Sequence, residues 1–556
     1  MAANSIVVSD EIARIRNKNP GLDVNRIEIL ETRKRFSECM IWGMLEDFYQ
    51  HAGPAAWDAI PYYPTSNPGI AEIYASCITA YLIDSIPSID KSRPVYILEL
   101  AAGHSLFAFY VMKELVRKVG SFACLQDVQL RYIMTDFTEN NVESWEHCQE
   151  LRPFLESGML DFAVFKPEED TALRLRRSGC TLAAGSGTNP VIAIANYFFD
   201  SLRQDFFHVD NGQLREALVT FYRKIATKSD VPSFDNIEKI DSYIDVEKDY
   251  YGETHLDGLL NDYIRTIDKG SIPFPLGALR CIENLESISN GNLVLMVTDK
   301  GYCTNDSLMG LCEVPYVPLH GCTSFMVNFD ALSRYFENKG GDALVSFESY
   351  ELNTAIYLSP RHPGLKLEHL RCYVNDLLDR RGASGAYCSV PGLLKTMDLT
   401  GGDPNLTFRQ CVAAIQISNY DPMTFSLCGK WLSSIFSALS VHQQRQLKLI
   451  LRKVEENMHP RAPCRKEASD WLRSFYFALG MDDECLSNAK ETVVRYGEDG
   501  HAFYYMGICF ECRGEYEVAM ECIRKAAALD ENCELTKAAM GRVEKRLIGD
   551  RLGEGS

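Results

Sequence analysis

Val95-Tyr96-Ile97-Leu98-Glu99-Leu100-Ala101-Ala102-Gly103-His104-Ser105 joins an apolar run to a turn of small residues. The run reads as a buried strand. Glu99 stands near its end, small residues follow, and residues 106–119 read as a helix. A sheet presents its carboxyl end and a helix N-terminus to a nucleotide-like ligand in this way. Small residues let the backbone approach such a ligand closely. Strand–small–helix turns are common in α/β proteins, so the flanking segments must carry the rest.

Downstream, Tyr132-Ile133-Met134-Thr135-Asp136-Phe137 places an acid at the end of the next strand, where a carboxylate can accept both ribose hydroxyls or cap a helix. Asp161-Phe162 opens a short third strand and could meet an adenine amino group and ring, or be a loop acid beside a core aromatic. Val191-Ile192-Ala193-Ile194-Ala195 runs into Asn196, three aromatics (Tyr197, Phe198, Phe199) and Asp200. Polar groups and aromatics at a strand end suit a wall beside a sulfonium methyl. The alternation continues, with strands at 131–135, 162–165, 191–195 and 293–298 and helices at 142–155, 276–288 and 331–338. Residues 343–348 and 355–358 look like a final strand pair. This rhythm predicts a mostly parallel sheet covered on both faces, a Rossmann-like α/β domain over 91–365. Residues 205–272 interrupt it with an acidic and aromatic, helix-like run at 245–251, and read as an insertion or lid. Residues 1–90 read as mostly helical.

Residues 382–405 are rich in Gly, Ser and Pro, and 366–405 read as a linker to an all-α domain at 406–550. In that domain Trp471 and Tyr505, Tyr476 and Phe510, and Gly480 and Gly514 pair at one 34-residue offset. Phe503, Met506, Gly507, Phe510, Ala519, Ile523 and Ala526 fit the large and small positions of a tetratricopeptide (TPR) unit. Arg473 and Cys485 fall where the preceding copy should have small residues. The domain is expected to bind a protein partner.

The chain has 556 residues and a net charge of −19, which disfavours nucleic acid and anionic membrane surfaces as partners. Its N-terminus lacks the basic and apolar regions of an export signal. No run approaches the ~18–20 apolar residues of a membrane span. The 19 cysteines are scattered, many within apolar runs, and read as buried thiols in a reducing, cytoplasmic setting. Cys509 and Cys512 form the one CxxC, without a second pair to complete a metal site.

The ordered set resembles the MidA family of class I S-adenosylmethionine (SAM) dependent methyltransferases. Its mitochondrial members methylate an arginine of a respiratory complex I subunit and assist its assembly. Further matching stretches are Tyr62-Tyr63-Pro64-Thr65-Ser66, Leu293-Val294-Leu295-Met296-Val297-Thr298-Asp299-Lys300-Gly301-Tyr302, and residues 320–332. The resemblance covers roughly 30–360. It implies SAM across the carboxyl ends of the first strands. Glu99, Ala101, Gly103 and Ser105 would line the methionine and ribose side, Asp136 would hold the ribose, and Asp161 and Phe162 would flank the adenine. Asn196 would touch cofactor and, with Asp200 and Asp299, orient a protein or peptide acceptor; Asp200 could equally cap a helix. No metal is implied, and the lone His104 and His320 read as structural. Ala101 and Ser105 replace two of three motif glycines, Lys300 an aromatic and Asn328 an acid. These departures keep open a catalytically silent adaptor. The turn 101–106 is not the GxGxxG of an NAD site.

Overall fold

The computed structural model describes residues 2–225, 231–246, 249–311, 313–314, 316, 318–319, 321–349, 351–360, 366–399 and 401–553. Its main sheet has seven strands: β1 (Val95–Leu100), β2 (Leu130–Asp136), β3 (Leu160–Val164), β4 (Val191–Asn196), β5 (Leu293–Asp299), β6 (Asp342–Val345) and β7 (Asn353–Leu358). They lie in the order β3-β2-β1-β4-β5-β7-β6. The first five are parallel. β7 runs antiparallel to both neighbours. β5 is buried along its whole length and β4 all but its last residue, as strands covered on both faces must be. After β3 the chain returns to lay β4 against the other side of β1. This reversal opens a crevice at the carboxyl ends of β1 and β4, the place where open α/β sheets bind ligands.

Helices cover the sheet because their apolar residues match it. Pro68–Ser85 starts at Asn67, whose side chain accepts from the Ile70 N–H at 3.0 Å, with Pro68 in the first turn. Residues 63–88 around it have the length and hydropathy to cross a membrane, contrary to the sequence expectation, yet 78% of the apolar 18-residue window within them is buried inside the protein. Leu276–Ile288 and Phe329–Asn338 pack in the core that holds β4 and β5. The expected helix over 142–155 is broken into Glu139–Glu146, a short turn and Arg152–Glu156, with Pro153 at the start of the last piece.

Residues 205–272 are mostly strand, with one helix, Thr254–Thr266. Asp205–Asp210, Gln213–Lys224, Ile237–Asp245 and Lys269–Phe274 build a second, antiparallel sheet, and the N-terminal strand Ile27–Arg35 joins it beside Gln213–Lys224. Ile27–Arg35 lies in a region expected to be helical; its charged residues Glu28, Glu31, Arg33, Lys34 and Arg35 hide the strand alternation. The run at 245–251 turns instead of coiling: Asp249 is left-handed, at φ 59°, and the helix begins only at Thr254. Residues 247–248 lie outside the described residues.

The chain divides into two compact units, Met1–Ala386 and Tyr387–Ser556. The proposed linker is largely structured, with helices Glu368–Asn375, Asp376–Arg380 (a wider π turn) and Ala386–Thr396. In the first unit Glu72 accepts from Lys118 at 2.6 Å and Arg381 at 2.8 Å, which fixes the end of this stretch.

Among its described residues the second unit is entirely helical. Asp403, Asp421, Ser440 and Asp499 each cap a helix start with the side chain. Asp482–Tyr496 and Tyr516–Leu529 start 34 residues apart. Gly480 and Gly514, also 34 apart, turn in the left-handed region at φ 67° and 79°. A Cβ on Gly507 would lie 2.5 Å from Ile523 Cγ1, so only glycine lets these helices touch. Arg473, the equivalent position one repeat earlier, is fully buried. It donates to Asn488 Oδ1 (3.1 Å), Thr492 Oγ1 (2.8 Å) and His501 Nδ1 (2.9 Å) and pairs with Asp470. Polar partners on the facing helix thus replace the small-residue contact. Cys509 is buried and Cys512 exposed, and the described cysteines are free thiols. Gly507→Val should cost about 1–3 kcal/mol of overpacking. Urea unfolding followed by circular dichroism reads it; an unchanged midpoint would mean that the helices do not meet there.

Candidate functional site

The backbone leaving β1 alternates into the left-handed region at Ala101 (φ 51°), Gly103 (φ 52°) and Ser105 (φ 68°). The motif's glycine-type conformation is therefore kept at positions that carry a Cβ. For alanine and serine this costs about 1–2 kcal/mol each. Neighbours hold the turn. The Ala102 N–H donates to Thr135 O at 2.8 Å, the Ser105 N–H to Ala102 O at 3.0 Å, and Trp145 Nε1 to Gly103 O at 2.7 Å. Across the crevice Tyr197, just past β4, is also left-handed at φ 48°. Asp299 braces that side, its Oδ2 accepting from the Phe198 and Asp200 N–H groups at 3.1 and 3.0 Å.

Between these turns lie two adjoining chambers of about 1030 and 410 Å³, mouths included. They share Trp57, Ala101 and Tyr197 as walls. The larger is lined by Trp42, Tyr49, Asp136, Phe137, Asn141 and the loop after β3, Lys166-Pro167-Glu168-Glu169. The smaller is lined by Tyr62, Thr65, Glu99, His104 and Asn196 among others. Three buried polar atoms on these walls have no hydrogen-bond partner: Trp57 Nε1, Asn141 Oδ1 and Asn196 Nδ2. Each unmade bond costs about 1–3 kcal/mol, so the walls present two donors and one acceptor ready for a polar ligand.

The sequence-selected residues divide. Glu99, Ala101, Asp136 and Asn196 line the crevice, and Gly103 forms its floor under Trp57. Ser105, Asp161, Phe162, Asp200 and Asp299 are not on its walls. Ser105 turns its Oγ onto the His104 carbonyl at 2.5 Å. Asp161 sits in the first half of β3. It accepts from the Phe162 and Arg177 N–H groups at 2.8 Å and from Ser178 N–H at 3.0 Å, so it pins a turn and does not face an adenine. Phe162 is core, packed against Trp145 at 5.7 Å. Asp200 is buried behind Ser201 and 3.6 Å from Lys300 Nζ, which itself donates to Ser324. Asp299 spends both oxygens on backbone N–H groups. These two acids position the turn after β4 and do not reach an acceptor. His104 lines the smaller chamber, its Nδ1 accepting from Leu106 N–H at 3.2 Å; His320 lies outside the described residues.

Asp136 has little capacity left for a ribose. Its Oδ1 accepts from Thr138 N–H and Oγ–H, both at 2.9 Å, and its Oδ2 from Asn141 Nδ2 at 3.0 Å; the Gly103 N–H also reaches it. A carboxylate has about four acceptor sites, so these donors fill it. Burial raises its pKa against them. Burial likewise raises Asp200 and, with Asp200 alongside, lifts Asp299 well above the usual carboxylate range. Glu99 is pushed up to about 8 by burial, opposed by the Tyr132 hydroxyl donating at 2.8 Å, and is neutral at pH 7.

Sequence reasoning missed Trp42, Tyr49 and Trp57, which come from the N-terminal region and carry no local motif. Lys166–Glu169 follows β3 directly and was findable from the rule that loops after parallel strands line the crevice. Away from the crevice, Glu253, His255 and Glu283 stand close enough to share a cation, but Arg280 pairs with both carboxylates and occupies their charge.

No protein-family model matches the chain, and no curated protein matches its sequence. Among solved structures, a COG1565 superfamily protein from Burkholderia thailandensis aligns at 11% identity with a TM-score of 0.36, over 64% of this chain and 93% of that one. A second COG1565 member from the same organism, bound to S-adenosyl-homocysteine, aligns at 11% identity and TM-score 0.35, over 67% and 89%.

Two outcomes follow from the geometry. Ala101→Gly relieves about 1–2 kcal/mol of left-handed strain and adds back roughly 0.4–1 kcal/mol of unfolded-chain entropy, so stability should rise by up to about 1 kcal/mol. Ala101→Val should lower it. Thermal melts check both, and the opposite order would contradict the φ at this position. Glu99 binds its proton more tightly folded than unfolded, between its ordinary value of 4.5 and about 8. That contribution is full below the lower value and lost as pH rises through the window. Melts of Glu99→Gln from pH 5 to 8 should fall less than wild type; parallel decline would place Glu99 in solvent.

Proposed function

We propose that the chain is a SAM-dependent methyltransferase acting on a protein or peptide acceptor. The observation that carries this reading is the crevice itself: it lies where the strand order reverses, is bounded by left-handed Ala101 and Tyr197 with Gly103 beneath Trp57, and is walled by unpartnered hydrogen-bonding atoms. The resemblance to class I methyltransferases implies a doubly wound, Rossmann-like sheet with such a crevice, and the strand order agrees with it. SAM would supply an electrophilic methyl group on sulfur. The residues fit its neutral polar groups: Asn141 Oδ1 can accept from a hydroxyl, while Asn196 Nδ2 and Trp57 Nε1 can donate. Asn196 is held in place by the Tyr74 hydroxyl, which donates to its Oδ1 at 2.8 Å. The aromatic walls Trp42, Tyr49, Phe137 and Phe198 exclude water and suit a sulfonium. Alignment of acceptor and donor would supply most of the rate.

We also propose that the helical unit binds the protein partner as a TPR-like surface. Its 34-residue offset, the paired glycines and the close approach at Gly507 support this. A silent scaffold is the second reading. It is favoured by Trp57 lying on Gly103 and by the filled carboxylate of Asp136.

Titration calorimetry with S-adenosylhomocysteine tests the reading. Wild type should bind saturably, and Asn196→Leu should bind about ten- to a hundredfold more weakly, as expected for a lost buried hydrogen bond of about 1–3 kcal/mol. A folded protein without binding would favour the scaffold.

A further inference from the structure

Trp57 stands where the two chambers meet. Its Cζ2, Cε2 and Nε1 lie 2.6, 2.7 and 2.9 Å from the point that a Cβ on Gly103 would occupy, so the indole rests directly on the glycine. It lines both chambers, as Ala101 and Tyr197 do. Beside Gly103, Tyr49 at 6.3 Å and His104 at 5.3 Å between ring centres pack against it. Its Nε1–H is buried without a partner, so this position lacks the hydrogen bond that a buried indole ordinarily makes. The residue sits in the short 3-10 segment Gly53–Asp58, closed by a backbone bond from Ala59 N–H to Ala56 O.

The two chambers hold different orphan groups: Asn141 Oδ1 belongs to the larger and Asn196 Nδ2 to the smaller. A compact ligand could use one of them. A ligand that satisfies both, with hydroxyls at one end and a hydrogen-bond acceptor at the other, has to span the boundary that Trp57, Ala101 and Tyr197 share.

We propose that Trp57 is a displaceable partition. It lies on Gly103 when the crevice is shut and swings off it to admit one extended nucleoside–amino acid ligand across both chambers. This rests on the methyltransferase reading of the crevice. Gly103 then has two uses for its missing side chain: a bed for the indole in the shut state and for the ligand in the open one. The strained residues on either side, Ala101 and Tyr197, form the fixed jambs. The lost shut-state contacts are apolar, while the gained ones include the indole N–H, so the ligand, and not a protein group, completes the open state.

The test is surface plasmon resonance of S-adenosylhomocysteine on the full chain, comparing wild type, Trp57→Ala and Trp57→Phe. Removal of the partition should raise the association rate at least tenfold in Trp57→Ala. Trp57→Phe keeps a ring on Gly103 and should stay within threefold of wild type. Binding by Trp57→Ala alone would also support the partition. Equal association rates for wild type and Trp57→Ala overturn it and leave the methyltransferase reading intact. No binding by any folded variant overturns both. Should Trp57→Ala fail to fold, tryptophan emission decides: the ligand should shift the wild-type spectrum more than that of Trp57→Phe, in which Trp42 still reports on the larger chamber, and equal shifts would overturn the proposal.

Discussion

The structure depends on the point at which the main sheet reverses its winding. β1 sends its chain outward to β2 and β3, and β4 returns to β1's other flank. The carboxyl ends of β1 and β4 then diverge, and no later strand fills the gap. Each chain leaves its strand through a left-handed residue with a side chain, Ala101 on one side and Tyr197 on the other. Such conformations persist only where the surroundings over-determine them. Asp299 does this for the β4 side by tying down two N–H groups, and Thr135 and Trp145 do it for the β1 side.

The polar atoms left unpartnered on the crevice walls are neutral. Burial pushes Glu99 up to about 8, and the carboxylate of Asp136 is committed to Thr138, Asn141 and Gly103. Charge enters the larger chamber through Glu46, Arg203 and the loop Lys166–Glu169, while two amides and an indole are left to meet a ligand's neutral groups. Hydrogen bonds to such groups are gained only if the ligand matches them, because the alternative is a buried group left unpaired. This favours selectivity for a ligand whose neutral polar groups match those amides and the indole.

Much of the central sheet was legible because its strands are continuous apolar runs bounded by small or acidic residues. β1, β2, β4 and β5 fall at the expected places, and helix Leu276–Ile288 has the expected bounds. The second sheet was not legible. Ile27–Arg35 is crowded with charge, and its partner Gln213–Lys224 lies far along the chain, so only tertiary pairing reveals either. In the crevice, chemistry named the strand-end residues that line it, Glu99, Ala101, Asp136 and Asn196. It failed for Asp161, Asp200 and Asp299, since sequence does not tell whether a buried acid faces a ligand or a backbone N–H. It failed for Trp57 because a tryptophan in a turn has no signature until its neighbour Gly103 is seen beneath it.

A crystal structure of the chain with S-adenosylhomocysteine should show the ligand between the ends of β1 and β4, within hydrogen-bond distance of Asn141 and Asn196, with Trp57 off Gly103. A ligand bound elsewhere, or Asn141 and Asn196 still unpartnered beside a bound one, would contradict this placement.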